Sequence, residues 1–339
     1  MKSNVVSLFK QPYADNQSDL LRHFESDVCD LLTGARQGHM ERWEYWHADY
    51  PGDPAGGGPF WDALIKRPGA YYLPCADMDL IGRMVRNPAI DSVLRGIHSV
   101  VELGPGSAES IAGKTMPLMA HAKRYVAIDQ TQSQAEAAAD QISNTLGLPT
   151  EAIVCDYLHA NLSDAHYGRK GFMMWGGAIA NIEGGVGADP LPELVRSLHL
   201  LAAGCNSGDT VFVSIDTEQN KTVITDAYNV PLLSQKFLSV LHAAKKFGMT
   251  SGKFTPESWT HRSVWHNENW QCAHYLIAGE DQDFMLAGKR IRIAAGQSVI
   301  TNNSYKFPHA VVREAARIAG FGRAHVSDDK PIAMLMATK

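Results

Sequence analysis

The chain has 339 residues, 20% of them charged, and a formal net charge of −5. This length allows one large or two modest domains, and the slightly acidic balance excludes a general electrostatic attraction to nucleic acid, which needs a basic face. The five cysteines form no CxxC pair, so we expect free thiols. No apolar run reaches the ~18 residues of a membrane span, and the N-terminus lacks the apolar core of a signal peptide. We therefore expect a soluble, cytoplasmic protein with no membrane partner.

The N-terminal part of the chain predicts helices separated by a glycine-rich segment. Apolar residues recur at helical spacing between Asp19 and Arg36, and a second helix is predicted from about residue 79 to 96. The run GGGP, residues 56–59, predicts a loop between them. Aromatic residues crowd this region and are expected to form core or the wall of a pocket; they are Trp43, Tyr45, Trp46, Tyr50, Trp61, Tyr71 and Tyr72.

From Ser99 to Asp216 strands and helices alternate. Apolar runs predict the strands, and a helix over residues 108–121 is expected to be irregular at Pro117. The predicted strands are 99–103, 124–129, 151–156, 170–175 and 210–216, and the other helices are 133–146 and 190–203. This alternation indicates βαβ units and a mostly parallel sheet, and hence an α/β fold.

The alternation stops after Asp216. A helix is predicted over residues 234–247, and aromatic segments of alternating character then indicate a small antiparallel sheet. A helix in HAVVREAARIAGF and a strand in PIAMLMAT resume the α/β pattern. We therefore predict a cofactor-binding core of residues 76–217 and 304–339, and an inserted α+β substrate-binding domain or lid of residues 1–75 and 218–303.

A glycine turn follows the first predicted strand in VVELGPGS, residues 100–107. A dinucleotide-binding turn needs a third glycine, and Glu109 stands at that position, where it would face a pyrophosphate. A cofactor without phosphate fits better. S-adenosylmethionine (SAM) is such a cofactor, and Gly104 and Gly106 would let the backbone approach its methionine moiety.

Acidic residues end three successive predicted strands, as this cofactor requires. Glu102 would orient the ammonium group of SAM, and Asp129 would accept hydrogen bonds from both ribose hydroxyls. Asp156 with the neighbouring Tyr157 would hold the adenine. Ligands of open α/β sheets lie at the carboxyl ends of the strands, so the order of these residues favours SAM.

The segment after the fourth strand is more specific. FMMWGGAIANIEG, residues 172–184, resembles the LGSTIGNF segment of the histidine Nα-methyltransferases of ergothioneine biosynthesis, with Gly176 and Asn181 at matching positions. The resemblance extends over nearly the whole chain from about residue 40. It implies a Rossmann-like SAM methyltransferase sheet, SAM as cofactor with S-adenosylhomocysteine as product, and a place for Gly176 and Asn181 beside an amino-acid substrate.

Other segments extend the resemblance to the substrate pocket. FWDALIKRPGAYYLP resembles LFDxIxxLPEYYPT, whose tyrosine lines the pocket, and its counterpart is Tyr71 or Tyr72. DAYNVPLLSQKFLSVLH resembles AYNDxxGVTAxFNxNxL, so Tyr228 would bind the substrate carboxylate. We therefore expect Asn181 and Tyr228 to orient the head of an amino acid for catalysis.

The chain departs from the family in two places. SVITNNSYKFP resembles IHTEISYKY, but the glutamate that reads the histidine imidazole is Asn302 here, followed two residues later by Ser304. Because a hydrogen-bonding pocket discriminates by its polar groups, the substrate side chain is expected to differ. The glycine turn, GPGSAESIAGKT, is also four residues longer than the family's GSGSSRKT, and Lys114 is assigned as the displaced cofactor-binding lysine.

These observations predict a SAM-dependent N-methyltransferase that acts on the α-amine of histidine or of another polar or aromatic amino acid. Methylation of a side-chain nitrogen or hydroxyl, and a catalytically silent SAM-binding protein, remain open alternatives. His261, His266 and His274 lack the spacing of metal ligands, so no metal is expected. The sequence does not define an oligomeric state.

Overall fold

A computed structural model describes residues 17–46, 56–67, 71–107, 110–157, 160, 162–163 and 168–339. Tyr50, Glu109 and the first residues of the helix predicted at 108 lie outside these ranges, as do residues 1–16 of the predicted substrate-binding part. No helix in the described ranges is both long and apolar enough to cross a bilayer.

Helices and strands follow each other through the whole described chain. The helices are α1 (Gln17–Thr33), α2 (Glu41–Glu44), α3 (Gly58–Ile65), α4 (Tyr72–Met84), α5 (Pro88–Arg95), α6 (Gln132–Leu146), α7 (Leu191–Gly204), α8 (Lys221–Tyr228), α9 (Pro231–Lys246) and α10 (His309–Ile318). The strands are β1 (Ser99–Leu103), β2 (Arg124–Asp129), β3 (Thr150–Val154), β4 (Lys170–Met174), β5 (Thr210–Asp216), β6 (Thr250–Lys253), β7 (Trp259–His266), β8 (Gln271–Ala278), β9 (Gln282–Leu286), β10 (Lys289–Ile293), β11 (Ser298–Tyr305), β12 (Arg323–Val326) and β13 (Ile332–Thr338).

The central sheet is Rossmann-like. Its seven strands lie in the order β12-β13-β5-β4-β1-β2-β3. Strands β1 to β5 are parallel, and β13 enters antiparallel beside β5. The predicted α/β fold is confirmed. The strand order reverses between β1 and β4, and ligands bind at such a switch point.

Burial explains why the strands of the central sheet are mostly apolar runs. Every residue of β1, β4 and β5 is buried, because helices cover both faces of a parallel sheet. Glu102 is therefore an acid inside a buried strand, and its carboxyl needs hydrogen-bond donors from the chain.

Two helix predictions were wrong in detail. The helix expected over residues 79–96 is two helices, because Pro88 begins α5 and the Asn87 side chain caps it by accepting from the Ala89 backbone N–H at 3.0 Å. The described part of the helix expected over 108–121 is a π-helical turn, Ile111–Thr115, followed by a 3₁₀ turn, Met116–Leu118. The third strand ends at Val154, so Asp156 lies in the loop beyond it.

Two small antiparallel sheets lie beside the central one. Strands β11-β8-β7 form the first and β10-β9-β6 the second. Helix α9 packs against α2, α3 and β7, and thereby joins the N-terminal helices to the first small sheet. Strand β11 crosses position 303, where the sequence analysis divides the two predicted parts. It carries several site residues from one part into the other.

Candidate active site

A small, polar-lined cavity lies where the carboxyl end of β4 meets α9 and β11. Glycine backbone forms the sheet side of this cavity, and aromatic and cationic side chains form the rest. The lining residues are Tyr45, Trp61, Tyr71, Leu73, Gly176, Gly177, Ala180, Asn181, Tyr228, Leu233, Lys236, Phe237, Asn302, Ser304, Tyr305 and Lys306.

The glycine turn after β1 has the conformation that a closely approaching ligand needs. Gly104 and Gly106 have φ angles of 65° and 69°, in the left-handed region that favours glycine. A Cβ added at Gly104 would meet nothing within 4 Å, so the turn leaves open space at the switch point. This cradle fits the SAM-binding role predicted for both residues.

Glu102 is held from within the chain. Its Oε1 accepts from the Thr115 hydroxyl and its Oε2 from the Tyr125 hydroxyl, each at 2.6 Å. Burial raises the pKa of Glu102 to about 7 despite these two hydrogen bonds. Because both of its carboxyl oxygens accept hydrogen bonds from the chain, Glu102 stabilises the region below the glycine turn. Direct contact between Glu102 and the ammonium group of the cofactor stays a prediction.

Asp77 places a second acid at the same edge, and no sequence motif predicts it. Its Oδ2 accepts from the Lys114 ammonium at 3.0 Å and from the Gly176 backbone N–H at 2.8 Å. Its Oδ1 is buried and finds no hydrogen-bond donor among the described residues. A buried carboxylate oxygen that lacks a donor fits the ammonium group of SAM. Lys114 lies nearby but is ion-paired with this acid.

The remaining predicted cofactor residues lie beyond the next two strands. Asp129 ends β2, and its Oδ1 accepts from the Thr131 backbone N–H at 2.8 Å. Asp156 and Tyr157 follow β3. Burial, with the charges of Glu41 and Asp156, raises the pKa of Tyr157. The acids and the open glycine turn suit a cofactor with a ribose and an ammonium group but no phosphate.

Two tyrosines and a lysine form one wall of the cavity. The Tyr71 hydroxyl donates to the Tyr228 hydroxyl at 2.8 Å, and the Lys306 ammonium donates to the same oxygen at 2.6 Å. Lys306 also forms an ion pair with Asp216 at 2.7 Å. Burial lowers the pKa of Lys306, but the negative charge of Asp216 outweighs burial, so the pKa of Lys306 lies above its usual value. Tyr72 directs its hydroxyl to Asp216 at 2.5 Å.

The bonding pattern at Tyr228 determines where its own proton points. The hydroxyl oxygen accepts two hydrogen bonds, which uses both of its lone pairs. Its O–H is therefore left to donate, and the residue lines the cavity. This wall offers an O–H donor beside an ammonium group, a combination that binds a carboxylate.

Asn181 is oriented from both sides. Its Nδ2 donates to Glu41 Oε1 at 2.7 Å, and its Oδ1 accepts from the Ser304 hydroxyl at 3.3 Å. Burial raises the pKa of Glu41 to about 7, although the hydrogen bond from Asn181 and the charge of Lys236 act to lower it. Asn181 thus presents an amide oxygen at the cavity with an acid directly behind it, which suits an amine.

A hydrogen-bonded series of serines and histidines supports Ser304. His274 Nε2 lies 3.2 Å from the Ser304 hydroxyl, and His274 Nδ1 lies 2.9 Å from Ser263, which in turn contacts His261 at 3.2 Å. Since Ser304 donates to Asn181, a consistent series has each histidine donating from Nε2 and accepting at Nδ1. Burial lowers the pKa of His261 to about 3, and it lowers that of His274 as well, so both are neutral.

Glu44 organises the part of the cavity wall that contains Lys236 and Asn302. This fully buried carboxylate accepts from Thr301 at 2.7 Å, from Asn302 at 2.8 Å and from the Lys236 ammonium at 3.3 Å. The Asn302 Oδ1 accepts from the Asn303 backbone N–H at 2.7 Å. Asn302 lines the cavity, but both ends of its amide are engaged in holding this arrangement.

The structure brings six of the seven predicted substrate-binding residues together. The cavity wall contains Gly176, Asn181, Tyr228, Asn302, Ser304 and, of the two adjacent tyrosines, Tyr71. Five residues of the site were not predicted from the sequence: Asp77, Glu41, Glu44, Lys236 and Lys306. Only Lys306 had a signal in sequence, the SYK string within SVITNNSYKFP; the others come from helices remote in the chain. The described residues contain no cluster of three or more His, Cys, Asp or Glu arranged for a metal.

Several known proteins are similar to this chain. The family described as histidine-specific methyltransferase, SAM-dependent, matches residues 26–337. N-methyltransferase fsqC of Aspergillus fumigatus is 23% identical over 271 residues, 76% of this chain and 70% of that protein. The uncharacterized protein y4iF of Sinorhizobium fredii is 25% identical over 240 residues, 68% of this chain and 77% of that protein. The structure of the CcbJ methyltransferase from Streptomyces caelestis has a TM-score of 0.45 and 10% identity, covering 86% of this chain and 99% of that one.

Proposed function

Because the chain belongs to the family of histidine-specific, SAM-dependent methyltransferases, we propose that it methylates the α-amine of a small polar or aromatic amino acid. The observation that carries this proposal is the presence, around one cavity, of a carboxylate-binding wall, Tyr228 with Lys306, and an amine-binding group, Asn181, which Glu41 supports from behind. An α-amino acid carries these two charged groups on a single carbon. The name of the relative fsqC, an N-methyltransferase, also supports methylation at nitrogen.

SAM held at the glycine turn would supply a sulfonium methyl group, and in-line attack of an amine lone pair on the methyl carbon would release S-adenosylhomocysteine. The chain's own residues must bind, orient and deprotonate the amine. Tyr228 and Lys306 hold the carboxylate, and Asn181 Oδ1 accepts an N–H of the amine. Orientation of this kind supplies roughly 7–11 kcal/mol of barrier lowering in favourable cases.

The ammonium form of the substrate has no lone pair and must first lose a proton. Glu41 accepts this proton in our proposal, because its carboxylate lies against Asn181 at 2.7 Å. Its pKa of about 7, raised by burial, lets it take up and release a proton near neutral pH. Because Glu41 lies behind Asn181, the proton would pass from the substrate nitrogen to Glu41 through one bridging water. The nitrogen lone pair would then attack the methyl carbon as the bond from that carbon to sulfur breaks.

The two-part division belongs to the same proposal. Residues 76–217 and 304–339 would form the SAM-binding core, and residues 1–75 and 218–303 the substrate-binding part. The strands of the central sheet lie between positions 99 and 216 and between 323 and 338, which supports this division. The substrate groups Glu41, Lys236 and Tyr228 come from the second part.

Mass spectrometry tests the function. The purified protein is incubated with SAM and each common amino acid, and the products are fragmented to locate added methyl groups. We expect methylation on the α-nitrogen of at least one amino acid. A methyl on a side-chain atom would favour the alternative of side-chain methylation. Absence of any product, with SAM binding intact by calorimetry, would favour a silent SAM-binding protein.

A further inference from the structure

Lys236 is a buried cation in the wall of the substrate cavity. It lies on α9, its relative exposure is 1%, and it lines the cavity together with Asn302 and Tyr45. Burying an ammonium group is unfavourable unless it is paired and hydrogen-bonded. A lysine at such a place therefore needs a reason that packing alone does not give.

The partners of Lys236 leave part of its hydrogen-bonding capacity unused. An ammonium carries three donors, and within the described ranges its acceptor is Glu44 Oε2, at the long distance of 3.3 Å. The rings of Tyr45 and Phe237 lie 3.9 Å and 4.4 Å from Nζ and flank it by cation–π contact. At least one N–H is thus left for a group that enters the cavity.

Acidic groups already surround Lys236. Glu44 pairs with it and also accepts from Thr301 and Asn302, and Glu41 lies close enough for its charge to act on both Lys236 and Glu44. An incoming anion would meet the negative charges of Glu44 and of ionised Glu41, and an incoming cation would meet the ammonium of Lys236. A neutral acceptor atom has neither penalty and gains a charge-assisted hydrogen bond.

We propose that Lys236 donates a hydrogen bond to the substrate side chain. The enzyme thereby selects an α-amino acid whose uncharged side chain carries a hydrogen-bond acceptor. This inference rests on the proposed function and specifies its substrate class. Asn302 and Glu44 then act as positioning residues: they hold the lysine rather than contact the substrate. A cationic side chain, including a protonated imidazole, is disfavoured, whereas a side-chain amide, hydroxyl or neutral imidazole is accepted.

Matched amino-acid pairs test this inference. We compare kcat/KM for glutamine with norleucine, tyrosine with phenylalanine, and glutamine with lysine. A hydrogen bond to a charged group corresponds to a preference of roughly 10- to 100-fold for the acceptor-bearing member. In Lys236→Met this preference falls toward unity, chiefly because KM for the acceptor-bearing substrate rises. Lys245→Met, the same change at an exposed position of α9, keeps the wild-type preference.

The outcomes separate this inference from the proposed function. If the wild-type enzyme prefers norleucine, phenylalanine or lysine, or if Lys236→Met binds SAM and keeps the acceptor preference, the side-chain inference is wrong while amine methylation stands. If no amino acid is methylated although SAM binds, the proposed function fails and this inference fails with it. Since Lys236→Met leaves Glu44 without its cation and can misfold, the variant Lys236→Met with Glu44→Gln provides the second measurement, with the same loss of preference expected.

Discussion

Replacement of Tyr228 by phenylalanine removes one oxygen from the centre of the tyrosine wall. That oxygen accepts from Lys306 at 2.6 Å and from Tyr71 at 2.8 Å, and the residue is 4% exposed. The ring stays in place, so the change leaves the packing against Tyr71 and His274 intact. The variant therefore isolates the hydroxyl group.

The expected loss of stability follows from these two contacts. A hydrogen bond to a charged group contributes about 1.5–3 kcal/mol and a neutral one about 1 kcal/mol. Lys306 keeps its ion pair with Asp216 at 2.7 Å, which limits the penalty. We expect Tyr228→Phe to lower the free energy of unfolding by about 2–4 kcal/mol.

The same variant should weaken substrate binding. Loss of an O–H donor to the substrate carboxylate raises KM for the amino acid by roughly 10- to 100-fold. Affinity for SAM should be unchanged, because Tyr228 lies in the wall of the amino-acid cavity. Urea unfolding, steady-state kinetics and calorimetry measure the three quantities separately.

Tyr72→Phe is the matched control. It also removes a hydroxyl bonded to the same polar cluster, through Asp216 at 2.5 Å, and should cost comparable stability without changing KM. An equal rise of KM in both variants would refute the assignment of Tyr228 as the carboxylate ligand. An unchanged KM in folded Tyr228→Phe would refute it as well.

Three further predictions concern the rest of the site. Glu41 must be ionised to accept a proton, and burial raises its pKa to about 7, so kcat/KM should rise with pH up to about 7. Glu41→Gln should lose this rise in kcat/KM. An unchanged pH profile in the variant would exclude Glu41 as the base. Asp77→Asn should weaken SAM binding by roughly tenfold in calorimetry, since a charge-assisted bond to the ammonium is lost; equal affinity would show that Oδ1 does not face the cofactor. Gly104→Ala should lower stability by about 1–2 kcal/mol at its φ of 65° and also reduce SAM affinity, and a fully stable variant would contradict the left-handed turn.

Some of the site could be predicted from sequence because its signals are local. A glycine turn directly follows β1, and the acids Asp129 and Asp156 end or follow the next strands. Parallel strands bring their carboxyl ends to one edge, so chain order alone places these residues together. The apolar runs of β1, β4 and β5 predicted the sheet for the same reason, since burial on both faces requires them.

Local signals were less reliable where backbone geometry competes with periodicity. The apolar period continued across Asn87 and Pro88, but proline cannot donate within a helix and the asparagine caps a new one. Sequence also left the adjacent Tyr71 and Tyr72 equivalent. The start of α4 determines which tyrosine lines the cavity. Tyr71 lies just before the helix and donates a hydrogen bond to Tyr228, whereas Tyr72 is the first residue of the helix and donates a hydrogen bond to Asp216.

The sequence by itself determined the cofactor edge and the class of fold, and only the tertiary structure decided what surrounds the substrate. Lys236 and Glu44 lie 192 positions apart, yet they meet in one ion pair because α9 packs on α2. No hydrophobic period or sequence motif links such residues, because the local sequence of a helix does not determine which other helix packs against it. Asn302 resembles a substrate-binding position in sequence, but its amide turns toward Glu44, because a buried carboxylate must be satisfied by the nearest donors.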